Sequence, residues 1–223
     1  MNLAGQIAIL LRKEFLLEFR LKSSVFSLLL YLFGIALVCY LSFYHKTTQL
    51  NGITWNALFW ISQLFIAING IGKSFIGEPK SRDYYYYTLV DPRAIILSKI
   101  IYNLVLILAL SLLSYSFMRL ILPVKIDDLG LFLTNLGLGV VAFSSILTMV
   151  SGIASKANNN TTLMAILSIP MMIPVEMMMV KISNHAIDGL ERSLVYDELG
   201  ALLGVNILII AVSYILFPYL WRT

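Results

Sequence analysis

The segment Ala67-Ile-Asn-Gly-Ile-Gly-Lys-Ser74 ends in the Gly-Lys-Ser of a phosphate-binding loop, once Ala is admitted at the first position. Such a loop joins a buried strand to a helix and wraps phosphates in backbone amides. It also needs an acidic metal partner on another strand of an α/β domain. Here the preceding residues, Trp55 to Ile66, form an apolar run of membrane-helix character, and the chain leaves no room for an α/β domain. The segment is therefore read as the end of a membrane span. Its glycines permit close helix packing, and Lys73 reaches toward the headgroups. The chain is expected not to be an ATPase, and catalysis by this chain alone has little support.

The most informative stretch follows directly, over residues 75–99. Glu78, Lys80, Arg82, Asp83, Asp91, Arg93 and Lys99 surround four consecutive tyrosines, Tyr84, Tyr85, Tyr86 and Tyr87. Pro79 and Pro92 punctuate it, leaving Lys80–Asp91 as a short helix or hairpin along the membrane surface. An interfacial aromatic belt with snorkelling bases accounts for one or two tyrosines. Four in a row cannot all face the same lipid layer, and Tyr suits a place where an apolar body meets a wet edge. Docking of a partner is the favoured reading of Glu78 to Asp91.

Glu176 is the one acid deep in an apolar run, within Ser168-Ile-Pro-Met-Met-Ile-Pro-Val-Glu176. A carboxylate at such depth is costly and faces a bundle interior or a water cavity in most cases. Pro170 and Pro174 are expected to break the helix there and free backbone carbonyls. Two readings stay open: a substrate-path or gating residue, or a hydrogen-bonded carboxyl near the outer interface. The methionines around it read as core filler rather than metal ligands. His45 and His185 fall in predicted outer segments; as a pair they could ligate haem iron, but solvated loop histidines account for them better. The single cysteine, Cys39, excludes an intramolecular disulfide and a cysteine-rich zinc site, and reads as a small buried hydrophobe. No metal site, no Ser-His-Asp set and no paired acids stand out.

The elements that carry these residues follow from composition. Of 223 residues, 59% are hydrophobic and 13% charged, and the mean hydropathy is +0.86. Soluble domains carry about 25% charged residues, so part of the solvent must be lipid. The net charge of +4 is modest, and its bases lie between apolar blocks rather than on a nucleic-acid-binding face. Spans of about 20 apolar residues are found near 24–43, 56–76, 98–121, 129–151, 161–181 and 199–219. The first is too long for a signal sequence and lacks a cleavage site.

The predicted fold is an all-α integral membrane protein of six transmembrane helices, one transmembrane domain over 1–223. Residues 1–23 are read as an N-terminal helix lying in the interface, where Glu18 and Lys22 stand at i,i+4 spacing, with a simple inward extension of the first span as the alternative. With the N-terminus inside, the inner segments hold Arg12, Lys13, Arg20, Lys22, Lys73, Lys80, Arg82, Arg93, Lys99, Lys156 and Arg222. The outer ones hold only Lys46, Arg119, Lys125, Lys181 and Arg192. That bias places both termini in the cytoplasm. The outer connection near 182–198, rich in acids, is expected to form a small surface helix. The run Asn158-Asn-Asn-Thr-Thr162 reads as a turn and the N-cap of the fifth span.

These features resemble the cytochrome c maturation protein B (CcmB) family, over nearly the whole length. The N-terminal Leu10-Leu-Arg-Lys-Glu-Phe-Leu-Leu-Glu-Phe-Arg20, the Phe75-Ile-Gly-Glu78 and Leu89-Val-Asp-Pro92 anchors, and the Ala94-to-Asn103 stretch carry the likeness. So does Ser151 to Pro174, a Gly/basic turn leading into a Pro-containing fifth span. The tyrosine run departs from a Gly-x-Leu-Glu-x-Leu segment that many members carry. The resemblance implies a permease subunit of an ABC exporter in the bacterial inner membrane, working with a separate ABC ATPase that holds the ATP. It further implies other cytochrome c maturation membrane proteins, a periplasmic haem chaperone, and a permease pair or heteromer. In this setting ATP hydrolysis drives haem export or the release of the loaded chaperone, and haem is a cargo of the complex rather than a cofactor of this chain. The alternatives are a permease for a lipid-linked glycan or small molecule and, from another class, a membrane-embedded enzyme using Glu176 or the outer acids.

Overall fold

The computed structural model describes residues 2–20, 23–43, 51–76, 89–157 and 161–222. They form helices α1 (Leu3–Arg20), α2 (Ser23–Phe43), α3 (Gly52–Ile71), α4 (Lys73–Ile76), α5 (Pro92–Ile121), α6 (Leu129–Lys156), α7 (Thr161–Asp188) and α8 (Tyr196–Arg222). A 3-10 turn, Arg192–Val195, leads into α8. No strand occurs among the described residues, as lipid demands of any chain that does not close a barrel. Among the described residues six segments are long and apolar enough to cross a membrane: α2, α3 with α4, and α5 to α8.

α6 is the axis of the bundle. It packs against α3, α4, α5, α7 and α8, and 78% of its best apolar stretch is buried, against 22% for α2 and 17% for α8. The outer helices turn Phe26, Leu30 and Leu41 of α2, and Ile207, Leu208 and Ile215 of α8, outward to where lipid lies. Rings fill the centre: Trp55 stacks on Phe59 at 5.4 Å, and Phe59 and Tyr115 both meet Phe132. Small residues let the helices approach. A Cβ at Gly139 would overlap Met179 Sδ and stand 3.3 Å from the Trp60 ring.

With no hydrophobic drive between helices in lipid, buried polar groups add adhesion at about 0.6 kcal/mol per interhelical bond. Asn135 Nδ2 donates to the Met179 carbonyl and to Ser183 Oγ, at 2.8 and 2.7 Å. Trp60 Nε1 donates to the same Ser183 oxygen, and Asn56 Nδ2 to the Val180 carbonyl and Asn184 Oδ1. These bonds join α3, α6 and α7 toward one end of the bundle.

The helices run past the limits that hydropathy suggests. α3 begins at Gly52, capped by Asn51, whose Oδ1 accepts the Thr54 amide at 2.8 Å. α5 begins at Pro92 rather than near 98, capped by Asp91. Hydropathy registers the lipid-crossing part, about 30 Å, whereas the 28 residues of α7 span about 42 Å.

Three local expectations are corrected. α7 runs unbroken through Pro170 and Pro174, because neighbouring helices stabilise a membrane helix that loses single backbone bonds. It also continues to Asp188, so the long outer connection shrinks to Gly189–Glu191. Ile182, Ala186 and Ile187 keep one face of this extension buried, and Gly189, at φ +65°, ends it. The small surface helix is a four-residue 3-10 turn, and Asp197 and Glu198 belong to the first turn of α8, where the helix dipole favours acids.

Candidate functional site

The end of α3 answers the question raised by Gly-Lys-Ser. Gly72 is right-handed helical (φ −53°, ψ −31°), and its amide donates to the Ile68 carbonyl at 2.9 Å. The amide that a phosphate would need is spent inside a helix. α4 adds one more turn, and Ser74 and Phe75 then enter a buried polar network. Lys99 Nζ donates to the Ser74 carbonyl at 2.5 Å. Asn103 Nδ2 donates to Ser74 Oγ at 3.2 Å and to Thr148 Oγ1 at 2.8 Å. Ser151 Oγ accepts the Phe75 amide and donates to the Gly72 carbonyl.

Lys99 is the unusual member. It lies two turns inside α5, 2% exposed, and a bare ammonium there would be expensive. Glu14 of α1 supplies the counter-charge, with Oε1 3.4 Å from Lys99 Nζ and 2.8 Å from Lys13 Nζ. The Phe75 ring adds a cation–π contact at 4.7 Å. Burial pushes the Glu14 carboxyl up, but Lys99 and Lys13 together outweigh it and hold Glu14 below the ordinary glutamate value. Phe15 packs edge-on to Tyr102 at 5.2 Å, and Leu10 enters a cluster with Phe75, Ile95 and Trp221.

The start of α5 is fixed by the same helix α1. Asp91 Oδ1 caps the helix by accepting the Arg93 amide at 2.9 Å, and the Asp91 amide donates to Gln6 Oε1 at 3.0 Å. Residues 76 and 89 flank the tyrosine segment. The Asp91 flank is thus bound to α1 directly through Gln6, and the Ser74 flank indirectly, through Lys99 of α5 and its partner Glu14. α8 closes this end: Phe217 and Trp221 pack on Phe75, and Lys156 Nζ lies 4.4 Å from the Trp221 ring centre.

Of the residues singled out from sequence, Asp91 is placed here as the α5 cap. Glu78, Lys80, Arg82, Asp83 and Tyr84 to Tyr87 lie outside the described residues, as does His45. His185 is half-buried near the end of α7, with Nδ1 3.0 Å from the Lys181 carbonyl. Cys39 is buried in α2. Glu176 lies near the middle of α7, away from the network around Lys99, on a cleft facing α3.

Sequence reading named Lys99 as an inner base and one of the charges around the tyrosines, and gave no role to Glu14, Gln6, Ser74, Asn103 or Ser151. A polar residue inside an apolar run was the available signal. Pairing residues 85 positions apart was not.

The other end of the bundle is tied by surface charges. Arg192 grips Asp128 with Nε and Nη2 at 2.6 and 2.9 Å, while Asp128 caps α6 by accepting the Leu131 amide. The hydrogen bonds from Arg192, then that from Leu131, lower the Asp128 carboxyl to about 2. Lys181 pairs with Glu198.

Neither a curated protein nor a solved structure matches this chain. The family model described as CcmB protein matches residues 6–216, which take in α1 from Gln6, the flanks of the tyrosine segment, the first five spanning helices and α8 as far as Leu216. The chain therefore belongs to the CcmB family, a membrane component of the haem-exporting ABC system for cytochrome c maturation.

Proposed function

We propose that this chain is the permease subunit that receives a cytoplasmic ABC ATPase on residues 78–91 and passes its nucleotide-driven motion to the membrane helices. Both termini and the tyrosine segment lie on the cytoplasmic side of a bacterial inner membrane. ATP is bound and hydrolysed by the partner. Other cytochrome c maturation membrane proteins and a periplasmic haem chaperone complete the assembly, in which haem is cargo. The permease works as a pair or heteromer.

One observation carries this reading: the Asp91 flank of the segment is bonded directly to Gln6 of α1, and the Ser74 flank is linked to α1 through Lys99 of α5, which donates to the Ser74 carbonyl and pairs with Glu14. A load on a segment clamped at both flanks moves α4, α5 and α1 together rather than being absorbed by slack chain. Lys99, Asn103 and Ser151 then connect the load to α5 and α6, the axis of the bundle. Four adjacent tyrosines provide the rigid aromatic anchors that interfaces favour, and Glu78, Lys80, Arg82 and Asp83 a polar rim.

Purification of the tagged chain from native membranes tests the assembly. An ABC ATPase and cytochrome c maturation proteins are expected to co-purify. Recovery of the chain with neither, or with a glycan-exporting ATPase instead, would overturn the proposal.

A further inference from the structure

Glu176 stands on a cleft that the docking proposal does not use. The cleft, of about 690 Å³, runs between α3 and α7, within the range of about 300–1,000 Å³ that holds small ligands. Trp60 and Met172 are its buried floor, and Ile61, Ile173 and Met177 its exposed rim. The rim faces outward from the bundle, so an occupant enters sideways from the lipid. The lining is apolar but for Glu176 and, toward the Asp188 end, Lys181 and Asn184.

Both polar groups at that end are engaged: Lys181 by Glu198, and Asn184 by Asn56. Glu176 is different. Its Oε1 is buried and accepts no hydrogen bond from any described residue. It lies twelve residues before the end of α7, about 18 Å along the helix axis, and so within the hydrocarbon layer. A carboxyl at that depth is matched by a partner in most proteins, because an uncompensated one is expensive. The two prolines add acceptors on the same helix, since the carbonyls of Ile166 and Pro170 lose their intrahelical donors. A donor to Glu176 Oε1 is what the described residues do not supply.

We propose that this cleft binds an amphiphile with an apolar tail and an amine head, the amine donating to Glu176 while the tail lies over Trp60 and Met172. An ammonium supplies the donor that Glu176 Oε1 lacks, whereas an anionic head would set an acceptor against an acceptor. The site is independent of the ATPase reading and would stand if that failed.

Trp60 on the cleft floor provides the readout. In a Trp55→Phe/Trp221→Phe background Trp60 is the remaining tryptophan, and 12-bromododecylamine should quench its emission in nanodiscs. Half-quenching is expected at a concentration at least tenfold lower than for 12-bromododecanol or 12-bromododecanoic acid. Glu176→Gln should abolish the preference for the amine and leave quenching by the alcohol unchanged. Equal quenching by amine and alcohol in the unaltered cleft would reduce it to a bed for a lipid tail and overturn the proposal. So would an amine preference that survives Glu176→Gln. Should the variants fail to accumulate, native mass spectrometry of the unaltered chain with the same three probes decides: selective retention of the amine supports the site, and equal retention overturns it.

Discussion

Lys99 Nζ and Glu14 Oε1 face each other at 3.4 Å across α5 and α1, with side chains 3% and 13% exposed. The pair joins a helix outside the six spans to the third span, and Lys99 Nζ also donates to the carbonyl of Ser74. With the Gln6–Asp91 bond it ties α1 to the bundle, and it is buried where ions are costly.

Removing one partner should therefore hurt more than removing both. Glu14→Leu leaves Lys99 buried against a carbonyl and a ring, and should destabilise the protein by about 3 kcal/mol. Adding Lys99→Met should recover much of that loss, because an apolar pair of similar volume avoids the desolvation cost. Thermal unfolding in detergent measures both. A double variant less stable than Glu14→Leu would show that the charge pair itself stabilises α1.

Acid should act first at the opposite end. The Asp128 carboxyl titrates near 2 when folded against an ordinary 3.8. A group lowered by folding stabilises fully above its unfolded value, and that contribution is lost as pH falls through the folded one. The Arg192–Asp128 tie is thus complete above about pH 4 and gone near pH 2. Melting of wild type and Arg192→Gln, followed from pH 6 to pH 2, should converge across that window. Curves that stay apart by a constant amount would place the effect of Arg192 elsewhere.

The orientation rests on eleven inner bases against five outer ones. In a Cys39→Ser background, a cysteine at position 83 should resist membrane-impermeant thiol reagents in intact cells, and one at position 190 should react. The opposite pattern would invert the protein in its membrane.

These tests divide along what the sequence could display. The six spans were legible because each is a continuous apolar run, whereas the helix start at Asp91-Pro92 was placed near 98, since hydropathy registers only the lipid-crossing part. Helix ends were less so: α7 passes two prolines and a predicted loop because Ile182, Ala186 and Ile187 pack behind it, a tertiary fact with no local mark. Glu176 was conspicuous as an acid among methionines, yet the cleft it shares with Trp60 depends on how α3 lies beside α7. The Lys99 network was hidden for the same reason. Its members come from α1, α4, α5 and α6, and none is unusual in its own neighbourhood except as a polar residue in an apolar run.

The claim at the centre is that the tyrosine segment carries the ATPase, and association after mutation tests it most directly. Truncating an interface anchor typically costs about 2 kcal/mol or more, and each 1.4 kcal/mol is about a factor of ten. Tyr85→Ala/Tyr86→Ala should weaken capture of the ATPase subunit from native membranes about tenfold or more. Expression and membrane insertion should survive, because the clamps at Gln6–Asp91 and Glu14–Lys99 are untouched. A double variant that inserts normally and retains the ATPase as fully as wild type would contradict the account and leave the tyrosines as an interfacial belt.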